Sequence, residues 1–119
     1  MKIVDKPWGR ELWIEYENGR YAAKILEIKA GSRLSYQYHE VKHETLYLME
    51  GKCLFTLEND EGGIDVDEIG PGEFRVVRPL HKHRMEAVED CRFYEVSTPE
   101  LDDVVRVEDD YSRPKTDKE

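Results

Sequence analysis

Long apolar runs are missing from this sequence. None approaches the roughly 18 residues needed to span a bilayer. The opening residues, Met1 to Pro7, hold no apolar stretch of the kind that begins a secretory signal. Cysteine is scarce: Cys53 and Cys91 stand alone, without Cys-x-x-Cys spacing, and read as reduced core thiols of a cytoplasmic protein. Basic charge is also short. Eighteen Lys and Arg against 27 Asp and Glu leave a net charge of -9. That balance argues against a nucleic-acid backbone or an anionic membrane as the main partner. The chain itself is short, at 119 residues. One domain of this length buries about two-thirds of its unfolded surface, and it leaves no room for a separate nucleotide-binding half. Helical periodicity is absent too: no stretch before Thr98 keeps a 3.6-residue apolar period over three turns. There is no internal repeat and no low-complexity segment.

What is present reads as strands. Charged residues make up 38% of the chain and hydrophobic residues 39%, but the apolar ones come in short bursts rather than the dilute pattern of a disordered chain. Turn signals separate the bursts: Asn18-Gly19, Ala30-Gly31-Ser32, Gly51, Asn59 to Gly63, Gly70-Pro71-Gly72 and Glu89-Asp90. Between them lie Tyr21 to Lys29, Thr45 to Glu50, Cys53 to Glu58, Ile64 to Ile69, Phe74 to Val77 and Cys91 to Val96. Short strands at this spacing predict an all-β sandwich or barrel. Gly70 and Gly72 serve a turn rather than a phosphate cradle, because no helix start follows them. The end of the chain differs: residues 100 to 119 carry 8 of the 27 acidic residues and 4 of the 18 basic ones. Thr98-Pro99-Glu100 has the makings of a helix start, while Val104, Val105 and Val107 fit a strand equally well. Residues 114 to 119 are expected to be a frayed tail after a single domain over 1 to 113.

The four histidines fall in two pairs, His39 with His43 and His81 with His83. On a strand, Gln37 and His39 point to the same face, and a four-residue loop brings in Glu44. His81 and His83 likewise share a face. An amide oxygen, imidazoles and a carboxylate converging inside a barrel make a site for a borderline divalent metal. The spacing resembles the two signature motifs of the cupins. The first falls on Gly31, Gln37, His39, Glu44 and Gly51, with Gln in place of the first His. The second falls on Gly72, Arg78, Leu80 and His83, with its Pro and Gly replaced and Pro79 one position late. The resemblance implies the cupin double-stranded β-helix, and it implies Gln37, His39, Glu44 and His83 as metal ligands. The metal would be one divalent ion, zinc foremost, with Mn, Fe, Co and Ni also suited to such ligands.

A narrower resemblance adds to this. Lys6-Pro7-Trp8-Gly9, Leu34-Ser35-x-Gln37-x-His39 and the stretch from Asp102 to Arg113 are similar to the cupin domain of type II mannose-6-phosphate isomerases. That likeness implies conversion of mannose 6-phosphate to fructose 6-phosphate, or the same aldose-ketose isomerisation of a related sugar phosphate. For the phosphate it directs attention to Lys24, Arg33, Lys42 and Arg84, and for the catalytic base to His81 or Lys42. His43, in the loop, reads as a solvated rim residue, and exposure is the competing reading for His81. The alternative function is a cupin that binds metal and sugar without turnover, as a sensor or subunit. A different cupin enzyme, such as a dioxygenase, fits less well, since the first His is Gln. Residues 1 to 99 carry only -5, so a locally basic mouth is expected. Trp8 and Trp13, on an N-terminal strand, are expected in the core or at the interface of a homodimer.

Overall fold

The structure is a computed structural model and describes residues 1 to 117. The described residues form eleven strands: β1 Lys2–Lys6, β2 Gly9–Glu15, β3 Ala22–Ile28, β4 Tyr36–Tyr38, β5 Glu44–Glu50, β6 Cys53–Glu58, β7 Ile64–Ile69, β8 Phe74–Val77, β9 His83–Ala87, β10 Cys91–Ser97 and β11 Val105–Glu108. They assemble into a six-stranded sheet, ordered β1-β2-β3-β10-β5-β8, facing a five-stranded one, ordered β11-β4-β9-β6-β7. Every strand pairing is antiparallel. Among the described residues no helix is long and apolar enough to cross a membrane.

The turns follow from their residues. Between β2 and β3, Asn18 Oδ1 accepts the backbone N–H groups of Arg20 and Tyr21, and Gly19 takes a positive φ. Gly51, between β5 and β6, has φ +99°, and a Cβ there would lie 2.2 Å from the Asp90 carbonyl oxygen. Only glycine fits that crossing of two turns. The second motif has no glycine at its turn. Leu80 stands in that place with φ +69°, and its N–H donates to the carbonyl of His39 at 2.6 Å. Holding a leucine there costs about 1–2 kcal/mol, which the surrounding structure must offset.

Two-residue alternation builds an interior with two halves. Along β3, Ile28 and Leu26 point inward, and then Lys24 does. Along β10 the inward series is Cys91, Phe93, Glu95 and Ser97. Along β5, read from its far end, it is Leu48, Leu46 and Glu44. On the opposite sheet, β9 offers Ala87, Met85 and His83. The register lines these up: Phe93 pairs with Leu26 and Leu48, Glu95 with Lys24 and Leu46, and Ser97 with Glu44. One half of the barrel is therefore apolar, with Phe55 edge-on to Phe93. Burying each such ring contributes about 1.5–3 kcal/mol, and this half anchors the strands. The other half is a buried polar chamber.

Several expectations change. The N-terminal strand is a hairpin, β1 with β2, whose tight Pro7-Trp8 turn sends Trp8 into the core at 2% exposure. Trp13 packs edge-on against Tyr16, with the Lys24 ammonium 4.1 Å above its ring. Trp8 is thus closed to any partner. The segment after Thr98 makes a strand, β11, because Val105 and Arg106 pair with Tyr38 and Gln37 on β4. The frayed tail expected over 114–119 is replaced, over 114–117, by an ordered return. Arg106 N–H donates to the Lys115 carbonyl, Val105 bridges Thr116, and the Arg106 guanidinium donates two hydrogen bonds to the Asp117 carboxylate at 2.7 and 3.0 Å. Residues 118 and 119 lie outside the described residues. Cys53 and Cys91 are buried free thiols.

Candidate metal centre

His39, Glu44 and His83 offer three donor atoms within 4.8 Å of one another, all buried. Glu44 Oε1 lies 3.2 Å from His39 Nε2 and 3.3 Å from His83 Nε2. The tautomers follow from the far side of each ring. His39 Nδ1 faces the Asp103 carbonyl at 2.5 Å, and His83 Nδ1 faces the His81 carbonyl at 3.0 Å. A carbonyl only accepts, so each Nδ1 carries the proton and each Nε2 presents a lone pair. Two lone pairs and a carboxylate oxygen thus converge in a buried pocket, and among the described residues His83 Nε2 has no hydrogen-bond partner. This arrangement repels itself until a cation sits among the three atoms. Carbonyl-oriented imidazoles beside a carboxylate are what a borderline divalent metal takes. The residues therefore fit a metal, and they fit zinc, manganese, iron, cobalt or nickel alike.

Gln37 lies on β4, opposite His83 in the register, and lines the same cavity. Its Oε1 accepts the Ser35 hydroxyl at 2.5 Å. The Ser35 hydroxyl thus holds the Gln37 amide oxygen.

The second oxygen of Glu44 is held differently. Lys42 Nζ stands 3.0 Å from Glu44 Oε2 and 3.1 Å from Glu95 Oε2, with all three side chains buried. Burial alone would push the Lys42 ammonium down, but the two carboxylates outweigh it and hold the lysine charged far into alkali. Burial likewise pushes Glu44 up, and the Lys42 ammonium beside it outweighs burial, so Glu44 stays ionised well below the usual carboxylate range. Glu95 is the exception: burial dominates and raises its pKa. Lys24 is lowered by burial despite Glu95 and Glu11, the latter 3.9 Å away. The chamber wall is thus an alternating series, Glu11, Lys24, Glu95, Lys42, Glu44, ending at the histidines.

Asp103 organises the loop between His39 and Glu44. Its carboxylate accepts the backbone N–H groups of Glu40, Val41 and Lys42 at 3.0, 2.8 and 2.9 Å, while its carbonyl orients His39. Asp103→Ala is expected to weaken metal affinity by about 10–100-fold while the strands persist. Titration against a competing chelator reads this directly, and unchanged affinity would contradict the assigned role.

The sequence-derived candidates do not all meet here. Gln37, His39, Glu44, Lys24 and Lys42 line one cavity of about 70 Å³, and His83 reaches the same cluster. Arg33 and Arg84 do not line it. Arg33 is half-buried and paired with Asp110 at 2.6 Å. Arg84 alternates with His83, so its guanidinium turns out through the sheet to the carbonyls of Leu34 and Glu108. His81 is not among the lining residues either: its ring faces the Glu58 carbonyl at 3.0 Å and Asp60 at 3.6 Å. Lys42 stays charged between two carboxylates and so cannot act as a base. His43 is exposed. Sequence reasoning passed over Glu11, Glu95, Asp103, Arg106 and Arg113, all of which line the cavity. Glu95 had a signal: it shares the inward phase of Phe93 in an otherwise apolar strand. The lining is charge-balanced rather than basic: Lys6, Lys24, Lys42, Arg106 and Arg113 face Glu11, Glu44, Glu95, Asp103 and Asp117.

No protein-family model matches the chain, and no curated protein does. Solved structures do match. Oxalate decarboxylase from Bacillus subtilis superposes with a TM-score of 0.79 at 16% identity, over 89% of this chain and 30% of that one. KdgF from Halomonas sp. gives 0.74 at 18% identity, over 86% of this chain and 89% of that one. The coconut allergen cocosin gives 0.75 at 17% identity, over 87% and 30%. The chain thus spans less than a third of the decarboxylase and of cocosin, and most of KdgF. With its two facing antiparallel sheets and its His39, Glu44 and His83 cluster between them, the chain has the cupin fold.

Proposed function

We propose that the chain is a metal-dependent aldose-ketose isomerase acting on mannose 6-phosphate or a related sugar phosphate. His39, Glu44 and His83 would hold the metal, with Gln37 as fourth ligand. The observation that carries this reading is the placing of Glu95. It is a buried carboxylate with a raised pKa, in the same cavity as the donor cluster and tied to it through Lys42.

A bound divalent cation supplies a Lewis acid for two adjacent oxygens of an open-chain sugar. The chain's own residues do the rest. Glu95 takes the proton from the carbon beside the carbonyl, and the electron pair of that C–H bond moves into an enediolate. The hydroxyl proton of that carbon passes to the former carbonyl oxygen, and Glu95 returns its own proton to the former carbonyl carbon, so every proton is accounted for. Burial brings its pKa toward the working pH, where such exchange is efficient. Lys42 stays protonated throughout and holds Glu95 against Glu44. Lys24, opposite Glu95 in the register, adds positive charge where the enediolate develops. The expected homodimer remains part of the proposal, supported by the open sheet edge at β1, where Ile3 is exposed.

The test is turnover. Metal-loaded protein is incubated with mannose 6-phosphate, glucose 6-phosphate and free aldoses, and ketose is measured. We expect a phosphorylated aldose to be converted and a Glu44→Ala control to be inert. No turnover above that control defeats the isomerase. Thermal stabilisation by a sugar phosphate without product identifies the binding-only alternative.

A further inference from the structure

The cavity at the donor cluster has a volume of about 70 Å³. A larger groove of about 680 Å³ adjoins it. Arg106 and Arg113 line both spaces and so form the wall between them. Their charges are already matched: Arg106 holds Asp117 at 2.7 and 3.0 Å, and Arg113 holds Asp109 at 3.0 and 3.1 Å. The groove's remaining cations are Lys82 and Lys115, and among the described residues neither ammonium has an ion-pair partner. Net positive charge thus faces this groove in a protein of net charge -9.

The backbone singles out the same place. Among the described residues only two non-glycine residues have positive φ, Leu80 at +69° and Ser112 at +56°. Both line this groove. Such strain is kept where the surrounding structure enforces it, and it concentrates at ligand-binding positions. Leu80 is also tied to the carbonyl of His39, so the groove wall and the donor cluster share one rigid connection.

We propose that this groove binds the phosphate monoester dianion of the substrate, held by Lys82 and Lys115. The assignment rests on the isomerase reading for the rest of the substrate, and it replaces Arg33 and Arg84 as phosphate contacts. A small dianion suits the site, since two ammonium groups match its charge.

The test uses the full chain and the double variant Lys82→Gln/Lys115→Gln. Inorganic phosphate is titrated calorimetrically into each, at low and high salt. We expect phosphate affinity to fall at least tenfold in the variant, and the KM for mannose 6-phosphate to rise about tenfold, with bound metal unchanged. Unphosphorylated mannose is the comparator, and its apparent affinity should move less than twofold. Phosphate binding that the variant loses, without turnover in either protein, supports the groove and defeats the isomerase. Turnover with the same KM and the same phosphate affinity in both proteins overturns the groove and spares the isomerase. Unfolding of the variant is checked by the single substitutions, each expected to give a smaller loss of phosphate affinity. Phosphate affinity unchanged in both folded single variants overturns the assignment.

Discussion

Lys42→Met is expected to destabilise the metal-free protein by about 3–5 kcal/mol, the usual loss when one partner of a buried ion pair is removed. The reason is local. Lys42 stands 3.0 Å from Glu44 and 3.1 Å from Glu95, and methionine fills its volume while leaving both carboxylates buried without their cation. The pH dependence separates this from a packing defect. In the native protein Lys42 has a pKa raised above that of a free lysine. Its contribution is therefore fully present below the unfolded value of about 10.4 and is lost only as pH rises through the folded one. Stability linked to Lys42 is thus flat through neutrality. In the variant the two carboxylates are expected to titrate above their unfolded value of about 4.3, so stability should fall as pH rises from about 5 to 8. Urea unfolding at those two pH values, with chelator present, checks both effects. A loss under about 1 kcal/mol, equal at the two pH values, would contradict the account.

Glu95→Gln is expected to lower turnover by about 10²–10⁴-fold while leaving the metal bound. Glutamine keeps the shape of the side chain and removes only the proton acceptor. Because the native carboxylate already sits at a raised pKa through burial, replacing it should change stability little. Exchange of the transferred hydrogen with deuterated solvent should vanish in step with turnover. A Glu95→Gln protein within tenfold of native activity would remove Glu95 from the reaction and return the base to some other group.

The strand pattern was largely legible in the chain. The six segments marked by turn residues correspond to β3, β5, β6, β7, β8 and β10 with shifts of a residue or two at their ends. The hairpin of β1 and β2 was not, because Lys, Glu and Asp interrupt the apolar alternation of an edge pair that is half exposed. His39, Glu44 and His83 were legible because ligand spacing on neighbouring strands is a local property of sequence. The polar chamber behind them was not. Glu95 meets Lys42 across 53 positions of chain, and Asp103 closes the loop at Lys42 across 61. Arg84 shows the opposite failure. Its place beside His83 in sequence drew attention, yet strand alternation sends neighbours to opposite faces. The acidic stretch from Asp102 to Arg113 did carry its information, since Asp103, Arg106 and Arg113 all reach the cavity.

Metal content tests the central claim most directly. The native protein and the His39→Ala and His83→Ala variants are purified alike, loaded with zinc or manganese, desalted and analysed for metal per chain. The account predicts about one ion per native chain, and loss of most of it in each variant, because each removes an Nε2 lone pair aimed at Glu44. Metal retained at the native level by both folded variants would contradict the site.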